Sequence, residues 1–207
     1  MKNLFSLIIA LTVTSVTVFG QTTSIVVPKF DDKYSKYVQM LEDGEIDIDY
    51  KDFRYSLLES EQFKIISGKL RELFDLREKI DKQMDKSDYN KVISTTKKML
   101  SIDYANMLAH SILSHTYQII GDSINAQKHK IILLGLLHSI IDNRDGKSRE
   151  TAWSVIQISE EYFILDMLGA KLKYRNTYND NNGGLCDKMD VIIDGENKTY
   201  YFEIIQY

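Results

Sequence analysis

Two stretches decide the fold of this chain: SDYNKVISTTKKMLSIDY, residues 87–104, and GDSINAQKHKIILLGLLH, residues 121–138. They begin 34 positions apart, and each opens a segment in which apolar residues recur with the period of an α-helix. A unit of this length is typical of one helix-turn-helix, which cannot cover its own apolar face. The sequence therefore predicts helical hairpins that stack against each other between residues 87 and 138.

The first twenty residues have the features of a secretory signal peptide. Lys2 supplies a positive start, residues 4–18 an apolar run, and Val18-Phe19-Gly20 a small-residue cleavage site. The run is shorter than a membrane-spanning helix and contains several Thr and Ser residues. No cysteine stands directly after the cleavage point to carry a lipid anchor, and no later segment is long and apolar enough to span a membrane. We therefore expect export, periplasmic or secreted, with Gln21 first in the mature chain and neither a membrane span nor a lipid anchor.

The charge of the chain argues against nucleic acid as a partner. The net charge is −4, from 26 basic and 30 acidic residues, and loss of Lys2 with the signal peptide makes it −5. No basic cluster is longer than Lys97-Lys98, whereas nucleic acid requires a concentrated basic stripe. The single cysteine, Cys186, cannot form an internal disulfide, so the core must come from packing alone.

The hydrophobic pattern divides the chain into an extended leader, a helical array and a small sheet region. The leader covers residues 21–32, the array residues 33–143 and the sheet region residues 150–207, the last packed on the helices. Helices are predicted over residues 34–41, 50–58, 61–84, 88–101, 105–120 and 123–141. The last of these is so rich in Ile and Leu that we expect it to cross the middle of the molecule.

Beyond Gly146 the pattern changes from helical period to alternation. A strand is predicted over residues 153–158, followed by a short helix capped by Ser159. Three further strands are predicted over residues 171–178, 186–193 and 198–205, the last two joined by an Asp194-Gly195 turn. The predicted fold class is α+β, mostly helical, with an antiparallel helix array followed by a small antiparallel sheet.

The array resembles the tetratricopeptide repeat over about one and a half repeats. The resemblance rests on Asp88, Tyr89, Ile93, Lys98, Leu100, Asp103, Asn106, Ala109, Leu113, Tyr117, Gly121, Asp122 and Ala126. His110 stands where the family prefers Trp, and Tyr104 and His138 stand where it prefers Pro. The resemblance implies a helical hairpin array that presents a groove to a protein or peptide.

The helix face that lines the concave surface in such repeats is the predicted binding site. Its residues here are Leu108, Ser111, His115, Gln118 and Ile119. The mixed polar and apolar character of this face suits contact with a peptide. The alternative is that this face packs on the sheet and binds nothing.

Taken whole, the chain also resembles an uncharacterised family of exported Bacteroidota proteins known as a domain of unknown function. This resemblance rests on the signal peptide, Tyr50–Tyr55, Glu160-Glu161-Tyr162 and Tyr200-Tyr201-Phe202. It implies architecture and export, and it names no chemistry.

No motif in the sequence predicts a cofactor or a metal. Gly146-Lys147-Ser148 lacks the first glycine of a phosphate-binding loop, whose position Ile141 occupies. His110 and His115 would lie about 140° apart around a helix, so they cannot chelate a metal alone. The loop at residues 179–183 is rich in oxygen ligands but offers one carboxylate, which is too few for calcium. Cys186, followed by apolar Met189 and Val191, is expected to face the sheet interior as a small apolar residue.

The sequence favours an exported, non-catalytic module for binding a protein or peptide at the cell envelope, with no enzymatic activity. The competing hypothesis is an envelope hydrolase or small-ligand-binding protein with a site between helices and sheet. In that case Cys186, a histidine and acidic side chains would converge in a closed cavity. An open surface across Ser111, His115 and Gln118 would favour the non-catalytic binding module.

Overall fold

The computed structural model describes residues 24–27, 30–179 and 184–205, and the predicted signal peptide lies outside them. The described helices are α1 (Lys33–Glu42), α2 (Tyr50–Leu58), α3 (Glu61–Gly68), α4 (Leu70–Met84), α5 (Tyr89–Ile102), α6 (Met107–Ile119), α7 (Ser123–Ile141) and α8 (Ile158–Met167). The described strands are β1 (Trp153–Val155), β2 (Lys171–Asn179), β3 (Leu185–Ile193) and β4 (Glu196–Ile204). The predicted α+β fold class is confirmed.

Several helices begin at an aspartate whose side chain accepts a hydrogen bond from the first turn. Asp32 accepts from the Ser35 amide at 2.7 Å, and Asp49 accepts from the Asp52 amide at 2.9 Å. These bonds satisfy amides that have no partner within the helix. Gly44, at φ +94°, follows α1 and stops it where the sequence predicted a stop.

The helices from α4 to α7 pack side by side in chain order. The buried faces include Val92 and Met99 of α5, Leu113 of α6 and Leu136 of α7. The Ser114 hydroxyl also donates to the Ala126 carbonyl at 3.0 Å, which ties α6 to α7. The layered packing predicted for residues 87–138 is therefore confirmed.

Part of the predicted leader packs on the array. Ile25 is buried, and the Val26 amide donates to the Ser101 hydroxyl of α5 at 3.1 Å. Burial of one side chain and a bond to α5 fix residues 25 and 26 against the helices.

The prediction of a single helix over residues 61–84 is wrong, because this segment forms two helices, α3 and α4. The break follows Gly68, and Lys69 lies at φ −116° and ψ 14°, outside the helical region. Glycine is a poor helix former because it loses the most backbone freedom when fixed. The apolar pattern runs through the break, so the pattern alone did not reveal it.

The sheet is mixed, not antiparallel throughout as predicted. Its strand order is β1-β4-β3-β2; β4 pairs antiparallel with β3 and parallel with β1. The predicted turn between β3 and β4 is confirmed, with Asp194 at φ 53° and Gly195 at φ 83°. Positive φ at both central residues is the requirement of a tight type I′ turn.

The boundaries of β1 and α8 also differ from the prediction. β1 ends at Val155, and α8 is capped by Gln157, so Ser159 lies within the helix and is not its N-cap. The Glu160 carboxylate accepts from the Ile156 amide at 2.8 Å and from the Gln157 amide at 3.4 Å. A carboxylate that reaches back to these amides starts the helix earlier than the Ser159 signal indicated.

One hydrophobic core joins the array to the sheet. It runs from Phe53 of α2 through Leu136 of α7 to Val155 and Phe202 in the sheet. As expected, α7 crosses the middle, where it contacts α2, α6 and β1. Among the described residues, no helix combines the length and the apolar character needed to cross a membrane.

Gly135 of α7 lies against the ring of Tyr50, and this contact yields a stability prediction. A β-carbon at Gly135 would come within 2.4 Å of two ring carbons, which is closer than any real contact. We expect Gly135→Ala to lower the free energy of unfolding by about 1–2 kcal/mol because the ring must move in a packed region. The matched control is Gly68→Ala, since a β-carbon at Gly68 would meet nothing within 4 Å. Urea unfolding that shows equal effects for both variants would contradict the prediction.

Candidate functional site

The predicted binding residues lie along one face of α6, but the structure gathers only one of them into a cavity. Leu108 and Ser111 are half-buried, whereas His115, Gln118 and Ile119 are exposed. Leu108 lines a cavity that continues away from this face toward α8. The α6 face is thus an open strip that meets a cavity at its Leu108 end.

The cavity lies between the helical array and the sheet region, and we call it the α4–α8 cavity. Its volume is about 580 Å³, within the range of ligand pockets in proteins. Its walls come from α4, the start of α6, α8 and the start of β2. The apolar side chains that line it include Leu70, Phe74, Met107, Ile158, Tyr162 and Leu172.

Several of these apolar side chains are exposed to solvent. Phe74 is 52% exposed, Ile158 53% and Leu70 61%. Apolar groups that gather around one concavity and stay in contact with water mark binding surfaces more often than scattered ones do. The cavity can therefore take up an apolar group, and its polar residues would orient that group.

The polar residues of the cavity are few and mostly engaged. Burial raises the pKa of Asp103 to about 6, and its carboxylate accepts from the Ala105 amide at 3.1 Å and the Asn106 side chain at 3.3 Å. The Asn106 side-chain oxygen caps α6 through the Ala109 amide at 3.0 Å. Arg77 and Asp166 lie exposed in the lining, so the cavity carries charges of both signs.

A buried ion pair holds the α8 wall of the cavity. The guanidinium of Arg54, which is fully buried in α2, donates to both carboxylate oxygens of Glu160, at 2.9 and 2.8 Å. It also donates to the Ser139 hydroxyl of α7 at 3.2 Å and to the Ser154 carbonyl of β1 at 3.2 Å. Arg54 thereby fastens α8 to α2, α7 and β1 through one side chain.

The next residue, Glu161, belongs to a second buried cluster between α8 and the sheet. Glu161 and Asp187 are both fully buried, and neither oxygen of Glu161 accepts a hydrogen bond among the described residues. Burial raises the pKa of Glu161 to about 8, and the negative charge of Asp187 adds to the rise. Burial would also raise the pKa of Asp187, but hydrogen bonds from Arg175 and Thr177 outweigh it and lower that pKa. The Arg175 guanidinium, whose Nη2 lies 3.5 Å from a Glu161 oxygen, offsets part of the rise in the pKa of Glu161. Glu161 is therefore mostly neutral at pH 7, and Asp187 is ionised.

Two histidines of adjacent helices meet in the array. His110 of α6 and His129 of α7 are buried, with their Nδ1 atoms 2.9 Å apart. His110 Nε2 lies 2.8 Å from the Tyr104 carbonyl, which only accepts, so Nε2 carries the proton and His129 Nδ1 donates to His110 Nδ1. Burial lowers the pKa of His110 to about 4 and that of His129 further, so both rings are neutral. No sequence signal paired these two histidines, because they lie 19 positions apart on different helices.

Cys186 is buried, but the expectation that it faces the sheet interior together with Met189 and Val191 is wrong. Met189 and Val191 lie three and five positions after Cys186, so they are on the opposite face of β3. Cys186 is covered instead by Tyr178, whose hydroxyl donates to the thiol at 3.3 Å and accepts from Arg149 at 2.8 Å. Burial raises the pKa of the thiol. The described histidines His110 and His129 lie in the array, so they do not converge with Cys186.

A second, polar pocket of about 590 Å³ lies between α2 and the end of α7. Its side chains are largely engaged with the fold itself. The Tyr50 hydroxyl donates to the Ile46 carbonyl at 2.9 Å, and Arg144 donates to Glu203 at 3.0 Å. The α4–α8 cavity, with exposed apolar groups, is the stronger candidate site.

The comparison with known proteins gives a family without an activity. A family model described as "Domain of unknown function (DUF4919)" matches residues 48–207, more than three quarters of the chain. No curated protein and no solved structure matches the chain. The matched region includes all the helices and strands that line the α4–α8 cavity.

Proposed function

The chain belongs to this family of unknown function, and we propose that it is a non-catalytic binding protein that holds an apolar group of its ligand in the α4–α8 cavity. The observation that carries the proposal is the cavity itself, a concavity of about 580 Å³ where array and sheet region meet and exposed apolar side chains collect. The expectation of an uncharacterised family is confirmed at that level. Export to the cell envelope and the likeness to the tetratricopeptide repeat remain parts of the proposal.

The α6 face enters the proposal as the outer part of the binding surface. Leu108 belongs both to that face and to the cavity, and His115, Gln118 and Ile119 continue the same face into solvent. A ligand whose apolar group fills the cavity would reach the polar residues of this face. We therefore expect a ligand larger than the cavity, such as a protein or peptide segment.

Binding of the neutral apolar dye Nile red tests the cavity. We expect Phe74→Asp to weaken dye binding at least about tenfold, because it removes an apolar ring and places a charge in an apolar site. Phe74 is already 52% exposed, so the fold should tolerate the change. The readout is dye fluorescence titrated with protein.

The matched control is Ile124→Asp, which makes the same kind of change at a residue that is 82% exposed and does not line the cavity. Ile124→Asp should bind the dye as the unchanged protein does. If both variants lose binding equally, or if neither does, the dye does not report the cavity and the proposed function fails.

A further inference from the structure

One edge of the sheet is long and unpaired among the described residues. β2 is the last strand in the order and pairs on one side only, with β3. It spans nine residues, and most of its side chains are exposed. Apart from its ladder with β3, none of its backbone groups bonds to another described residue. An edge strand of this kind presents a row of free amides and carbonyls that can pair with another chain.

The opposite edge of the sheet is short and partly covered by helices. β1 has three residues, and the Ser154 carbonyl accepts from Arg54 of α2 at 3.2 Å. The Glu160 carboxylate accepts a hydrogen bond from the Ile156 amide, just beyond β1, at 2.8 Å. Side chains of α2 and α8 thus engage polar backbone groups along β1, which leaves β2 as the longer open edge strand among the described residues.

The two faces of β2 differ in chemistry at its start. Leu172, which is 40% exposed, lies opposite Val191 on the helix-facing side and lines the α4–α8 cavity. A β-bulge between Leu172 and Tyr174 places two consecutive residues, Lys173 and Tyr174, on the other face. Lys173 donates to Asn197 of β4 at 3.0 Å, and Tyr174 is 62% exposed. Lys171 lies exposed two residues before Lys173, and no described acidic side chain pairs with either lysine. At this end of β2, a strand beside it would meet apolar groups on one face and lysines on the other; farther along, the helix-facing side carries Arg175 and Thr177.

We propose that the β2 edge binds an extended peptide in which apolar residues alternate with acidic ones. This inference rests on the proposed function, since the apolar side chains of the peptide would enter the α4–α8 cavity. Side chains of a strand alternate between two faces, so such a peptide places its acidic residues toward Lys171 and Lys173. Backbone pairing supplies the affinity, and the two faces supply the specificity.

Charge favours this occupant over a second copy of the chain. β2 carries Lys171, Lys173 and Arg175 and has no acidic residue. Arg175 is already paired with Asp187, but pairing of two β2 strands would bring four lysines to one shared edge with no acidic side chain from either strand. Lysines on an edge strand are a known device against such self-pairing, whereas an acidic peptide complements them.

Fluorescence anisotropy with a labelled nine-residue peptide tests the inference. The probe alternates valine and glutamate and is capped at both ends. One control peptide replaces each glutamate by lysine, and another carries N-methyl groups on alternate amides, which removes strand pairing. We expect the glutamate peptide to bind at least about tenfold more tightly than either control.

Protein variants locate the site. We expect Lys171→Glu combined with Lys173→Glu to weaken binding of the glutamate peptide at least about fivefold, because two attractive contacts become repulsive. The matched control, Lys188→Glu combined with Lys198→Glu, makes the same charge change on β3 and β4 and should bind normally. Phe74→Asp should also weaken binding of the glutamate peptide.

The outcomes separate the two proposals. If Nile red binding depends on Phe74 but the peptide does not bind, or binds equally in its N-methylated form, the β2 inference is refuted and the proposed function stands. Sedimentation velocity gives a further test. If the protein forms concentration-dependent dimers, and the double variant Lys171→Glu with Lys173→Glu changes their amount, a second copy occupies the β2 edge and the β2 inference is refuted. If Nile red binding is independent of Phe74, the proposed function fails first.

Discussion

We expect Arg54→Met to lower the free energy of unfolding by about 3–5 kcal/mol, since it removes one partner of a buried ion pair. Glu160 is only 4% exposed, so its carboxylate would stay buried without its cation. The Ser154 carbonyl and the Ser139 hydroxyl would lose a donor in the same step. Equilibrium unfolding in urea measures the loss.

A second substitution separates lost charge from lost packing. Glu160→Gln removes the negative charge and keeps an oxygen for the Ile156 amide. We therefore expect Arg54→Met with Glu160→Gln to be more stable than Arg54→Met alone, because no unpaired charge remains buried. The matched control is Lys64→Met, whose ion pair with Glu61 is exposed and should change stability by less than about 1 kcal/mol. Equal losses for Arg54→Met and Lys64→Met would contradict the account.

Local signals predicted most elements of the fold. Apolar residues at helical spacing gave α1, α2 and α7 to within a few residues, and Asp194-Gly195 gave the turn between β3 and β4. The errors came where two local signals compete or where pairing is distant. The amides before α8 bind Glu160, which overrode the Ser159 capping signal. The parallel pairing of β1 with β4 joins segments almost fifty residues apart, and no local pattern encodes it.

The candidate site was harder to predict because its parts are remote in sequence. The α4–α8 cavity brings Phe74, Leu108 and Tyr162 together, and only the face with Leu108 carried a local signal. Arg54 and Glu160 are 106 positions apart. They lie in two of the segments on which the family resemblance rested, and the structure joins these segments through a bidentate ion pair. Those segments therefore contribute to architecture, since they fix the α8 wall of the cavity.

Glu161 gives the second large prediction, a loss of stability with rising pH. Its pKa is raised from 4.5 to about 8 in the fold, so between these values the folded state holds a proton that the unfolded state has lost. The stabilisation is complete below pH 4.5 and disappears as the pH rises through about 8. At about 1.4 kcal/mol for each pH unit, the loss between pH 6.5 and 8 is about 2 kcal/mol.

This pH window isolates Glu161 from the other buried groups. The lowered pKa values of His110 and His129 reduce stability only as the pH falls below about 6.5. Asp103, with a pKa of about 6, is almost fully ionised by pH 7, so it adds only a small change to this window. Glu161→Gln keeps a neutral side chain at every pH, so its unfolding free energy should be nearly constant from pH 6.5 to 8. The matched control is Glu59→Gln at the exposed end of α2. Its unfolding free energy should fall with pH as steeply as that of the unchanged protein. If the unfolding free energy of Glu161→Gln still falls between pH 6.5 and 8, another group carries the proton between α8 and β3.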